Sequence, residues 1–324
     1  MRQILLAIAA CLIVSASAPA QRVKFTDYAG DFDRFEARTR GMDADARVAL
    51  FRQTFAHIRP GLYADTDDAA LDKRIARALA DFPAIRDRYR AVEGRFPSAL
   101  ATAVARFRTI FPQFRSPLPI ILADELGVRD GGSDYVGGGK VMLFGADVIA
   151  RIHDDDSLQP FLDHELFHLE HARHFADCDP FWCLLWQEGM ATYAAQRMTP
   201  HATDHQLLLD QPRPIRAETD AHWGEALCRV AGTFDSSEAE ATDQAFLGNH
   251  HPPELPPRYG YYIGLRIVEA AARGQSLPAL ARLDDEAARP VVVAALARLI
   301  AEGRAPCTPP APQGPITHAA SHPA

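Results

Sequence analysis

Beyond its first twenty residues the chain has no apolar run long enough to cross a bilayer, no excess of basic residues, no internal repeat and only four cysteines. Several function classes fall away with these features. A transmembrane helix needs about 20 consecutive apolar residues, whereas the longest later candidate, residues 290–301, is short and carries Arg298, so no transmembrane span is expected. Against 42 Asp and Glu the chain sets 34 Lys and Arg, a formal charge of −8. That is the wrong sign for the electrostatic footprint of a nucleic-acid binder, and no nucleic-acid partner is expected. With 48% apolar and 23% charged residues the 324-residue chain has ordinary globular composition and enough length for one large domain or two small ones.

The one apolar run of note is N-terminal. MRQILLAIAACLIVSASAPAQ combines a basic residue, a short apolar stretch and small residues ending in Ala18, Pro19 and Ala20. It reads as a signal peptide over residues 1–20, which predicts an exported protein, periplasmic or secreted, with a mature chain starting near Gln21. Residues 8–11 loosely match a lipoprotein processing box at Cys11, a minor alternative because the apolar run continues past that cysteine. The remaining Cys178, Cys183, Cys228 and Cys307 form an even set for an oxidising compartment. Four cysteines allow three pairings, the local one in CDPFWC among them, and unpaired thiols are the competing reading.

Residues 26–114 show apolar positions at three- and four-residue spacings and read as four or five helices broken at Pro60, Pro83 and Pro97. The segments PLPIILADELG, residues 117–127, and SDYVGGGKVMLFGAD, residues 133–147, predict two or more strands of a small sheet. In HDDDSLQP the acids and Ser157 suit a helix start rather than a triple-Asp metal site, with Pro160 in the first turn. Helical patterns then cover residues 161–175, 181–198, 222–230, 259–272 and 290–302. A Pro- and Ala-rich tail at 303–324 reads as disordered. The expected fold class is mainly α with a small β-sheet (α+β): a helical N-terminal region at 21–115, then a second domain at 116–302.

HELFHLEHARH, residues 164–174, holds more potential metal ligands than one ion can use. His164, Glu165 and His168 form HExxH. Residues four apart on a helix lie about 40° apart with about 6 Å of rise, so two imidazoles can converge on one zinc ion. Glu165 then sits at the edge of that face, in reach of a water on the metal, as general base. His174 has the spacing of a metzincin third ligand, but His171 stands where metzincins need a glycine to turn the chain. On a continuing helix His174 points about 120° away from His168. His171 lies about 10 Å of rise from His164, too far to share an ion with it. Both are expected to be solvated or to sit behind the ligands. The better third ligand is Glu188 in FWCLLWQEGMATYAAQ, twenty residues after His168 on an apolar helix where an acid needs a partner. Gly189 favours close helix approach, and Thr192 is placed to hydrogen-bond a ligand.

HELFH followed by WQEGMATY resembles the gluzincin zinc peptidases. The match is closest to a bacterial family of predicted zinc-dependent proteases and more distant from aminopeptidase N-like enzymes. In that bacterial family a glycine-containing strand precedes the HExxH helix and a GYxxG-like segment follows; residues 137–144 and 260–264 correspond. The resemblance covers about residues 117–272. It implies a zincin-like catalytic core over 116–302, one Zn2+ per chain on His164, His168 and Glu188, and a peptide or protein substrate. Two departures matter. VGGGKVML lacks the glutamate with which aminopeptidases hold a substrate's amino terminus, which favours an endopeptidase. The oxyanion donor is open: Tyr261 is the first candidate and Tyr262 the alternate, with His222, His250 and His251 in reserve, and a merely packed Tyr261 competes equally. Residues 137–144 are expected as an edge strand for an extended peptide. A non-catalytic metal-binding envelope protein and a hydrolase of non-peptide substrates are the rival functions.

Overall fold

A computed structural model describes residues 23–63, 67–175, 178–248 and 250–311. The signal-peptide and Cys11 expectations, and the tail from residue 312, lie outside the described residues. The chain is mainly helical with one four-stranded mixed sheet, the α+β class expected. Among the described residues no helix is long and apolar enough to cross a membrane.

The N-terminal section departs from expectation in two ways. Residues 25–27 form a short strand, β1 (Phe25–Asp27), before the helices α1 (Ala29–Thr39) and α2 (Ala44–Ile58). The rest is one 43-residue helix, α3 (Asp68–Ile110), that runs through both Pro83 and Pro97. Proline inside a helix removes one hydrogen bond and costs about 3 kcal/mol. Here both prolines are exposed, where water can serve the carbonyl left without a donor. On the opposite face a stripe including Leu79, Phe82, Tyr89, Val92, Phe96 and Leu100 is buried. At roughly 1.5–3 kcal/mol for each large apolar side chain, that burial outweighs both interruptions. Pro60 does lie just beyond the end of α2.

The sheet runs in the order β1, β2 (Ile120–Ala123), β4 (Gly139–Gly145), β3 (Gly131–Val136), with β1, β2 and β4 parallel and β3 antiparallel to β4. Gly137 and Gly138, at φ +61° and +79°, make the two-residue turn between β3 and β4. Such a turn needs positive φ at both positions and so selects glycine. This corrects the expected edge strand. Residues 142–144 are paired on both sides and 139–141 with β3 alone, and the outer edge of the sheet belongs to β3, folded back by the glycine turn.

From β4 the chain passes into α4 (Ala146–Ile152) and α5 (Leu158–His171), then α6 (Phe181–Met198), α7 (Ile215–Ala221), α8 (Trp223–Thr233), α9 (Ala239–Thr242), a π-helical turn at Asp243–Leu247, α10 (Tyr259–Ala271), α11 (Leu277–Leu280) and α12 (Asp285–Gly303). One apolar cluster spans Ala29 to Ile300, so the N-terminal helices and the later section share a core. The cysteines pair as Cys178–Cys183, across the turn into α6, and Cys228–Cys307, tying α8 to the chain after α12.

Gly189 of α6 meets Gly264 of α10. A Cβ on Gly189 would stand 2.8 Å from the Gly264 Cα, and one on Gly264 would stand 2.6 Å from the Leu185 carbonyl oxygen. Only hydrogen at both positions lets the two backbones touch. Gly189 is expected from the sequence to bring α6 close to the HExxH helix; the backbone it meets is that of α10 instead.

Candidate metal centre

The turn into α5 shows what HDDDS does. The Asp154 carboxylate accepts from the backbone amides of Asp156 and Ser157 at 3.0 and 2.9 Å and faces His205 Nε2 at 2.9 Å, while Asp155 pairs with Arg95. Asp154 thus braces the turn before α5, but no side chain caps the helix itself, contrary to the expectation for these acids and Ser157. One turn apart on α5, the Nε2 atoms of His164 and His168 come within 3.1 Å of each other. Glu188 reaches across from α6, its Oε2 lying 3.2 Å from His164 Nε2 and 3.6 Å from His168 Nε2. Ligand atoms around a tetrahedral ion with bonds of about 2.0–2.1 Å are about 3.3 Å apart. The triangle of 3.1, 3.2 and 3.6 Å is the size of one tetrahedral face, and two imidazoles with a carboxylate are a donor set that zinc accepts. Among the described residues no other set of three or more His, Cys, Asp and Glu side chains converges in this way.

The site is electrostatically loaded. Burial raises the Glu165 carboxyl to about 8, with His168 opposing the shift and the Asp130 and Glu188 carboxylates adding to it. Burial also works against charge on the other members. It lowers His164, whereas in His168 the Glu188 carboxylate overcomes it and lifts the imidazolium to about 9. Glu188 itself is held well below the usual carboxylate range, because the two imidazoles outweigh its burial. Glu165 is thus a carboxyl raised by burial beside one that its imidazole neighbours hold ionised.

These groups line a cavity of about 440 Å³. Gly131 closes on Glu165 from β3: a Cβ there would stand 3.0 Å from the Glu165 Cδ and from the Phe161 ring. Tyr261 lines the wall with its ring centroid 6.4 Å from that of His164, and burial, reinforced by Glu188, keeps its phenol protonated well beyond neutral pH. Tyr262, the alternate donor, does not reach the cavity. Consecutive helical residues lie about 100° apart, and its hydroxyl instead donates to Asp220 at 2.7 Å and accepts from Arg266 at 2.9 Å.

Other expected residues separate as follows. His171 is buried rather than solvated, its ring packed between Phe167 and Phe175 with centroids 5.2 and 4.9 Å away, and desolvation lowers it to about 3. It borders the cavity but stands outside the triad, and His174 lies off the cavity altogether. His222, His250 and His251 do not line it either. The Thr192 hydroxyl donates to the Glu188 backbone carbonyl at 2.8 Å, supporting the helix rather than the carboxylate.

The structure adds wall residues that motif reasoning missed. Asp130 lines the cavity and accepts from His153 Nε2 at 3.1 Å; the His153 side chain is fully buried. Arg258 also lines it, its guanidinium carbon 4.7 Å from the Tyr261 ring centroid. Gln206, Leu207 and Leu208 contribute a wall from the segment between α6 and α7. The available signals were slight: an acid just before Gly131, and an arginine one turn before Tyr261. Comparison with protein-family models, with curated proteins and with solved structures returned no match to this chain.

Proposed function

We propose that this chain is an exported, zinc-dependent hydrolase of the gluzincin kind that cleaves peptide bonds. The observation that carries the reading is the convergence of His164, His168 and Glu188 within one tetrahedral face, with Glu165 beside them in the same cavity. These three side chains would hold zinc, leaving a fourth position. A zinc ion held by these three would supply a Lewis acid for the scissile carbonyl and would lower the pKa of a bound water to about 7.

The chain's own residues supply the rest. Glu165, in the same cavity, would take a proton from the attacking water and return it to the leaving amine. Tyr261 keeps its proton and can donate a hydrogen bond to the oxyanion from the cavity wall. The free edge of β3 passes Gly131, Gly132 and Ser133 along the cavity, so an extended peptide can add to the sheet there. Two disulfides agree with folding outside a reducing cytosol and support the export reading.

The test is a screen of peptide and denatured-protein substrates with wild type beside Glu165→Gln, each with its zinc content measured. Cleavage by wild type that disappears in a Glu165→Gln protein still carrying zinc is the expected result. No cleavage of any peptide by zinc-loaded wild type would overturn the reading.

A further inference from the structure

We propose that Arg258 sets the specificity of this cavity by receiving a substrate carboxylate close to the bond that is cut. The inference rests on the hydrolase reading above and deepens it. Arg258 lines the same cavity as His164, Glu165 and Glu188. Tyr261 measures how near it stands, with its ring centroid 6.4 Å from that of His164 and 4.7 Å from the Arg258 guanidinium carbon. At about 3.4 Å per residue of extended chain, the guanidinium lies within roughly three residues of the first histidine.

Its charge has no counter-ion in place. Among the described residues no carboxylate lies within ion-pair distance of it, and Asp130, whose charge it senses, is taken by His153 at 3.1 Å. A guanidinium is ionised at every working pH, and beside its hydrogen bond to Tyr261 its five N–H donors leave others for recognition of a carboxylate. The backbone is committed to this position as well. Arg258 adopts φ +65°, ψ +20° at the start of α10, a left-handed conformation that costs a non-glycine residue about 1 kcal/mol or more. Two sources of carboxylate fit this chemistry, the C-terminus of a peptide and an Asp or Glu side chain.

The experiment measures binding to a cleavage-disabled Glu165→Gln protein loaded with zinc. One probe is a short peptide with a free C-terminal carboxylate and another is its C-terminal amide. A second pair, both amidated, carries Glu or Gln at an internal position. At least one carboxylate probe is expected to bind about tenfold or more tightly than its neutral partner, and the pair that shows the preference identifies the source. Adding Arg258→Asn, chosen because Asn tolerates left-handed backbone, brings the ratio to about one. Arg258→Lys, which keeps the charge but loses the fork, retains part of it and carries the test if the Asn variant does not fold. Equal binding within both pairs, a preference that persists in Arg258→Asn, or one undiminished in Arg258→Lys, overturns the proposal. The hydrolase reading is judged separately by wild-type cleavage, so a carboxylate preference without cleavage upholds the role of Arg258 while removing the reaction.

Discussion

Replacing Gly189 by alanine tests how the site is held together. In an exposed helix this change gains about 1 kcal/mol, because glycine is the poorer helix former. Here the new Cβ would stand 2.8 Å from the Gly264 Cα. Ordinary contact between carbons is 3.5–4.0 Å, so α6 and α10 must separate by about 1 Å. Overpacking of this kind costs about 1–3 kcal/mol, and backbone opposes backbone, so the upper end applies. The net effect is a loss of about 2 kcal/mol, or a fall in Tm of roughly 4–8 °C. The function of the site should suffer too, since α6 carries Glu188 and α10 carries Tyr261. Gly94 is the control: it is an exposed position of α3 where a Cβ would meet nothing within 4 Å, and Gly94→Ala should raise Tm by up to about 4 °C. Thermal melts of the three proteins decide it. A Gly189→Ala protein as stable as wild type would refute the backbone contact.

Burial lifts Glu125 to about 7 even though Arg129 pairs with it at 3.1 Å. Between about pH 4.5 and 7 the folded protein keeps a proton that the unfolded chain has released, so stability should fall as pH rises through that window, by at most about 3 kcal/mol, and then level off. Urea titrations from pH 4.5 to 8 should show this slope reduced in Glu125→Gln; an unchanged slope contradicts the assignment. In the chain-entropy account, the 79-residue separation of Cys228 and Cys307 gives about 4.5 kcal/mol and the 5-residue separation of Cys178 and Cys183 about 2. Paired Cys→Ser variants should accordingly melt with the long-range loss about twice the local one, and equal losses would speak against it. Tyr261→Phe is expected to lower kcat about 10²- to 10³-fold with little change in Tm. Tyr262→Phe should do the reverse, costing about 1 kcal/mol through the bond to Asp220 while sparing kcat.

Local periodicity exposed the parts of the site that depend on one helix at a time. HELFH and WQEGMATY could be placed on facing helices because a four-residue step fixes direction, and the span from Phe181 to Met198 was readable to the residue. Long-range pairing was harder to see. β1 is three residues whose only strand signal is its parallel partner β2, and Gly137–Gly138 turned the expected edge into an inner strand. The prolines of α3 suggested breaks, because the tertiary burial that outweighs them is not a local property. His171 carried its own clue in Phe167 and Phe175, each four residues away on an aromatic stripe. Asp130, His153 and Arg258 come from separate elements, and only the folded chain brings them to one wall.

Zinc content tests the central claim most directly. Purified mature protein, dialysed without chelator and assayed for metal, should hold close to one zinc per chain, and a His164→Ala, Glu188→Ala double variant that keeps its helical circular dichroism should hold almost none. Less than about half an equivalent in wild type, or full retention by the double variant, would contradict the account.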